Sequence, residues 1–232
     1  RGVKCFLLWC VDEGHIAKMP KIVMMYEPPA KPRYIKESEW DDIMALPDTI
    51  LSQWWKDVFN LYLELGCRRK EIIHGYIDGS FLIVPPEFTK AKRELEIPVT
   101  YQQIQVIQTI HIARDEFLTN CKNIRDFKNR FTKAMNKASK EVGIYIPYET
   151  TFHSIRHTFA VKTYLESNDI YEVSRRMNHG NVSTTEKYSQ FSIHRLAQDF
   201  PSIAQKHTKI GDLETRKVET RSYQDTISLR YN

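Results

Sequence analysis

His153 and Arg156 stand three positions apart in the segment His153-Ser154-Ile155-Arg156-His157. On a helix that spacing places an imidazole and a guanidinium on one face, where both can converge on one small anion. His157 lies one turn after His153, so the pair also has the H-x-x-x-H spacing of two zinc ligands. A zinc hydrolase of that type carries a glutamate directly after the first histidine as its base. Ser154 stands there instead, and no cysteine or further histidine falls at ligand spacing, so no metal is expected. His157 then reads as a core histidine, hydrogen-bonded within the fold. Further along, His179 precedes Tyr188 by nine positions, across a turn and the capping run Ser183-Thr184-Thr185. A lone tyrosine is usually a packing residue with a hydroxyl handle. Beside Arg156 it becomes a candidate nucleophile, because a phenol of pKa about 10 attacks at neutral pH only with a base or a cationic neighbourhood.

A mainly helical frame must position these groups. From His153 the pattern is helical through Asn168. A short helix follows over Ile170 to Met177, then a turn at Asn178-His179-Gly180-Asn181 and a brief helical turn carrying Tyr188. Upstream, residues 49–65 repeat apolar groups at helical spacing (Ile50, Trp54, Val58, Tyr62, Leu65) and stop at Gly66. Ser38, among Glu37, Glu39, Asp41 and Asp42, is expected to open an earlier helix. Tyr76 to Val84 and Glu94 to Val99 read as strands on either side of the basic turn Thr89 to Arg93. Thr100 to Gln103 predicts a capping box for a helix running towards Arg114. Residues 122–140 form an amphipathic helix with the apolar stripe Ile124, Phe127, Phe131, Met135 and Ala138. Its other faces carry seven Lys or Arg against the single acid Asp126, and Gly143 ends it. Such a charge run is either a solvated surface or a phosphate-facing one. The class is therefore α+β, mainly α-helical, with a small antiparallel β-sheet.

The chain has 232 residues, 41% of them hydrophobic, which excludes collagenous and wholly disordered readings. A net charge of +5 permits a polyanionic partner without demanding one. Four cysteines (Cys5, Cys10, Cys67, Cys121) form no C-x-x-C pair, which favours a reduced, intracellular protein. The longest apolar run, Phe6 to Val11, is far short of the roughly 20 residues of a membrane span. Prolines at 28, 29 and 32 predict an extended linker over residues 21–34. Residues 1–20 then read as the end of a truncated domain, residues 35–200 as the main domain, and 201–232 as a weakly folded or partner-docking tail.

Four stations of the sequence together resemble the tyrosine recombinases, the phage integrases and their relatives. Gly66-Cys67-Arg68-Arg69-Lys70-Glu71 is similar to the family's G-x-R-x-x-E, and Lys90 to Pro98 resembles its β-hairpin lysine motif. His153 to His157 matches H-x-x-R-H, and His179 to Tyr188 resembles G-H-x-x-x-x-T-T-x-x-Y. Two departures are Asn178 in place of the glycine before the histidine and the basic pair Arg69-Lys70. The resemblance covers about residues 35–192 and implies a DNA breaking-rejoining catalytic domain, with residues 1–20 closing a core-binding domain. It implies Arg68, Lys90, His153, Arg156, His179 and Tyr188 as catalytic, with Tyr188 the nucleophile. Lys90 would be the general acid, and His153 would assist proton transfer. No metal or cofactor is implied. The expected DNA contacts are Lys92, Arg93, Lys122, Arg125, Lys128, Lys133 and Lys137, and a chain lacking most of a core-binding domain is expected to bind DNA weakly. The implied partners are double-stranded DNA at recombination sites, a homotetramer on that DNA and accessory DNA-bending proteins, in the cytoplasm of a bacterial host. Rival readings are a catalytically silent DNA-binding module of the same fold and a type IB topoisomerase-like nicking-resealing enzyme.

Overall fold

The structure is a computed structural model in which residues 2–22, 31–120 and 123–205 are described. It divides into two units, residues 1–30 and 31–232. In the first, helix α1 (Gly2–Asp12) is followed by Gly14 at φ +75°, a left-handed backbone that stops the helix. The second unit takes in residues 31–34, which the prolines suggest as linker. Tyr34 is buried there, and its hydroxyl donates to Asp199 Oδ2 at 2.5 Å.

Helix α2 (Glu37–Met44) begins two residues earlier than Ser38 would cap it. Lys36 is the extended residue at the start, and its N–H is taken by the Glu39 carboxylate at 2.9 Å, so Ser38 falls inside the first turn. Helix α3 (Gln53–Leu65) ends as expected at Gly66, at φ +61°. A Cβ on Gly66 would lie 2.3 Å from the Phe159 ring, so glycine is needed both for the backbone and for the approach of the helix behind it. Arg68 is the N-cap of the short helix α4 (Arg69–His74), and its N–H meets Glu71 Oε2 at 2.6 Å.

Strands β1 (Tyr76–Asp78), β2 (Phe81–Val84) and β3 (Leu95–Pro98) form an antiparallel sheet in sequence order, with Leu82 opposite both Ile77 and Ile97. Gly75 joins α4 to β1 so closely that an added Cβ would stand 2.9 Å from the carbonyl oxygens of both Glu71 and Ile83. Backbone atoms cannot step aside as a flexible side chain can. Gly75→Ala is therefore expected to destabilise the fold by about 1–3 kcal/mol, measured as a lower urea midpoint at unchanged m-value.

Helix α5 (Tyr101–Asn120) starts on the expected box, Thr100 N–H to Gln103 Oε1 at 3.0 Å and Gln103 N–H to Thr100 Oγ1 at 3.3 Å. It runs past Arg114. Helix α6 (Ile124–Glu141) is capped by Asn123, whose Oδ1 accepts Arg125 N–H at 2.9 Å. Lys122, expected within this helix, lies outside the described residues. Then come α7 (His153–Ser167), α8 (Ile170–Arg176), the 3-10 turns Val182–Thr184 and Glu186–Tyr188, and α9 (Ile193–Asp199). Residues 201–205 are helical, and the rest of the expected tail is outside the described residues. No helix among the described residues is long and apolar enough to cross a membrane.

Two apolar cores result. One gathers α2 to α6 around Phe59, Tyr62, Phe131 and Phe152, whose rings meet edge to face at centroid distances between 4.8 Å and 6.0 Å. The other packs Tyr34, Val161, Val173, Met177, Tyr188, Leu196 and Phe200. Helix α7 serves both, with Ile155 in the first and Ala160 in the second. His153, Arg156 and His157 thus stand where the two cores adjoin.

Candidate active site

Arg156 is 3% exposed and held by helix ends. Its Nη1 donates to Gly66 O, and its Nη2 donates to Met177 O at 2.5 Å. Gly66 and Met177 are the C-caps of α3 and α8, so the guanidinium sits on the negative ends of two helices and satisfies carbonyls that lack partners in those helices. A guanidinium has five N–H donors, which leaves three for another acceptor. Glu71, 1% exposed, lies between the two arginines. Its carboxylate accepts Arg68 Nη1 at 2.8 Å and stands 3.8 Å from Arg156 Nη1. Burial, then the charge of Arg68, lowers the Arg156 pKa to about 10, with Glu71 opposing, so the group is cationic at neutral pH.

Arg68, Lys90 and His179 share one pocket of about 170 Å³ with Ala91, Gly180, Asn181 and Thr184. His179 Nδ1 is 2.6 Å from Thr185 Oγ1, which fixes the ring and leaves Nε2 as its remaining polar atom. Asn178 has φ +48°, so the residue that departs from the family's glycine is the side chain that best tolerates that backbone. Asn181, rather than the Ser-Thr-Thr run, caps the following turn through Oδ1 to Ser183 N–H at 2.9 Å.

Tyr188 is 1% exposed, its ring in the second core with Lys187 Nζ 5.2 Å from the ring centroid. Its hydroxyl is 2.7 Å from His157 Nδ1. His157 is therefore not merely a core histidine, because it holds the candidate nucleophile. Burial raises the Tyr188 pKa, and the charges of Arg156 and Arg68 oppose that rise. His153 packs edge-on to His157 at 4.7 Å between centroids.

Burial first, then neighbouring cations and imidazoles, depresses the pKa values of His153, His157 and His179 to about 4, 2 and 3. All three are neutral at pH 7. The unfolded chain takes up protons near pH 6.5 while these folded imidazoles do not. Their contribution is complete above about pH 6.5 and is lost as pH falls towards the folded values. The melting temperature is thus expected to fall steadily from pH 7 to pH 4, and His179→Gln to flatten that slope. A slope unchanged in the variant would contradict this.

The remaining cations divide. Lys90, Lys92 and Arg93 are exposed on the loop between β2 and β3, and Arg125, Lys133 and Lys137 are exposed on α6. Arg69, which enters the sequence only as part of the basic pair Arg69-Lys70, donates from Nη1 to Lys128 O at 2.8 Å and Thr132 Oγ1 at 2.6 Å. This joins α6 to a cavity of about 280 Å³ lined by Arg69, Thr132, Thr151, His153 and Arg156. At about 100° per residue, Arg125 lies within roughly 60° of Lys128, whereas Lys133 and Lys137 lie about 140° and 180° round the helix. Glu71 and His157 were also missed as site residues. The G-x-R-x-x-E spacing and the turn from His153 to His157 were the signals available for them.

The phage integrase family model matches residues 33–194. The tyrosine recombinase XerD of Staphylococcus epidermidis is 25% identical over 209 residues, covering 82% of this chain and 69% of that one. Its Staphylococcus aureus counterpart is 24% identical over the same length. Among solved structures, a lambda integrase tetramer bound to a Holliday junction superposes with a TM-score of 0.55 at 15% identity, covering 80% of this chain and 56% of that one. The Tn1549 transposon integrase in complex with transposon right end DNA gives 0.51 at 16%, covering 76% and 67%. The chain spans about half the length of some of these solved chains, 52% for the XerH recombinase in its post-cleavage complex. At these identities the structures speak to the fold.

Proposed function

The chain belongs to the phage integrase family, and from that premise we propose that it is a site-specific recombinase that cleaves and rejoins DNA through a 3′-phosphotyrosyl intermediate. The observation that carries this reading is the meeting of Arg68 and Arg156 on the buried Glu71. Arg68 and Arg156 hold the non-bridging oxygens of the scissile phosphate through charge-assisted bonds that strengthen as negative charge builds. His179 adds a hydrogen bond to the same phosphate. The Tyr188 oxygen bonds to phosphorus as the P–O5′ bond breaks. The phenol proton passes to a neutral imidazole, with His153 assisting, and Lys90 gives its proton to the departing 5′ oxygen. The phosphotyrosyl bond conserves the free energy of the broken one, so religation to another strand needs no nucleotide.

Residues 35–200 form the catalytic domain in this reading, residues 1–20 end a core-binding domain, and the tail after Phe200 docks on a neighbouring protomer. Strand exchange proceeds through a Holliday junction in a homotetramer on DNA, in the cytoplasm of a bacterial host. DNA contacts in this reading fall to Lys92, Arg93, Lys122, Arg125, Lys128, Lys133 and Lys137. Phosphate neutralisation dominates such binding, so affinity falls steeply with salt.

The test is incubation with nicked cognate DNA in EDTA, followed by denaturing gels and mass spectrometry of the trapped peptide. An SDS-resistant complex linked through Tyr188 is expected. Tight DNA binding with no covalent complex would instead favour the silent DNA-binding module, the second reading, which the 1% exposure of Tyr188 supports.

A further inference from the structure

Lys90 sits on an exposed loop, yet its reaction requires an ammonium placed to within a fraction of an ångström. The loop is fastened at its root by two contacts. Thr89, 1% exposed, has Oγ1 2.7 Å from Arg93 O and accepts Arg93 N–H at 3.2 Å, closing the turn around Lys90. Phe88, two residues before Lys90, lies flat on the His74 ring at 4.1 Å between centroids and 3° between planes. His74 is the last residue of α4, and Arg68 is that helix's N-cap. One helix of six residues therefore carries the first phosphate-holding arginine at its start and the anchor of the Lys90 loop at its end.

Two details argue that the stack is more than surface packing. His74 Nε2 is buried with no hydrogen-bond partner, so stacking, not a polar contact, accounts for the position of the ring. Burial and the neighbouring Lys128, Arg114, Lys70 and His111 keep the imidazole neutral, with its pKa lowered to about 4. Meanwhile Gly75 wedges the end of α4 against β2, so this end of the helix has little freedom to drift.

We propose that the stack of His74 on Phe88 sets the distance between Lys90 and Arg68, making His74 a positioning residue for protonation of the leaving 5′ oxygen. This rests on the reading of Lys90 as general acid, and the experiment separates the two. Single-turnover cleavage is measured on nicked DNA with an ordinary 5′ oxygen at the scissile position and on the same DNA with a 5′-bridging sulfur. A thiol has a pKa of about 8.5, so its thiolate departs without a proton and needs no acid. Lys90→Ala is expected to be slow on oxygen and restored on sulfur.

His74→Ala is expected to lose about 10²-fold on oxygen, the scale of a 1 Å misplacement, and to stay within a few-fold of wild type on sulfur. His74→Phe, which keeps a flat ring against Phe88, is expected to recover the oxygen substrate. Phe88→Leu removes the stack from the loop side and should copy His74→Ala, so the inference does not depend on one variant folding. Equal losses on both substrates, or no loss on either, would overturn the role of His74. Lys90→Ala remaining slow on sulfur would overturn the general-acid reading itself, and the positioning role with it.

Discussion

Tyr188→Phe is expected to bind DNA as tightly as the wild-type chain and to form no covalent complex with it. The ring is buried in the second core among Tyr34, Val161, Met177 and Leu196, and phenylalanine keeps that ring and its packing. Only the oxygen is lost, and with it one hydrogen bond to a neutral imidazole, His157 Nδ1 at 2.7 Å. Removing such a bond costs about 1 kcal/mol of stability. The melting temperature should therefore move by only a few degrees while cleavage disappears, and unfolding cannot be mistaken for lost chemistry. DNA affinity is unaffected because the phenol is enclosed and contributes no charge to the phosphate-binding surface. Gel shift and the denaturing-gel assay run on one preparation check both halves. A covalent complex formed by the variant would remove Tyr188 from the nucleophile's role and require another hydroxyl.

The enclosure of Tyr188 marks where sequence reasoning reached its limit. Spacing singles out the candidate groups, since His153, Arg156, His179 and Tyr188 follow from short motifs read along α7 and the turns after α8. Local rules also located Gly66 as a helix end and Thr100-Gln103 as a capping box, because those signals are held within four residues of chain. What periodicity cannot show is a contact between distant segments. His157 binding Tyr188 joins positions 31 apart, and Arg156 reaching Gly66 O joins positions 90 apart. Arg69 and Arg68 are adjacent in sequence, yet one turns to α6 and the other to Glu71, a choice made by what packs beside α4. Even the capping of α2 went to Lys36 and Glu39 instead of Ser38, because the chain entering from Ile35 is already buried against α7 through Ile35 N–H to Thr158 Oγ1 at 2.8 Å. Asn178 looked like a departure from a family motif until its positive φ showed why asparagine serves there.

Arg156→Ala carries the other large effect, because this side chain does two things at once. In the proposed reaction it supplies donors for the developing charge, and removal of a single such donor costs about 10²–10³ in rate. Towards the fold it satisfies Gly66 O and Met177 O and faces Glu71, all with almost no access to water. Taking away one partner of a buried ion pair costs about 3–5 kcal/mol, since the other charge is left behind. In Arg156→Ala, Glu71 keeps Arg68 as a partner, so the loss is expected at the lower end of that range, read from the urea midpoint. Arg156→Lys separates the two roles. An ammonium keeps the positive charge beside Glu71 and can reach one of the two carbonyls, but it lacks the planar fork that spans both and still faces a phosphate. Stability should therefore return in part while cleavage stays at least 10²-fold down, measured at a temperature where circular dichroism shows both variants folded. Near wild-type cleavage by Arg156→Lys would mean that charge alone suffices at this position, and that the fork held between the ends of α3 and α8 serves the fold and not the chemistry.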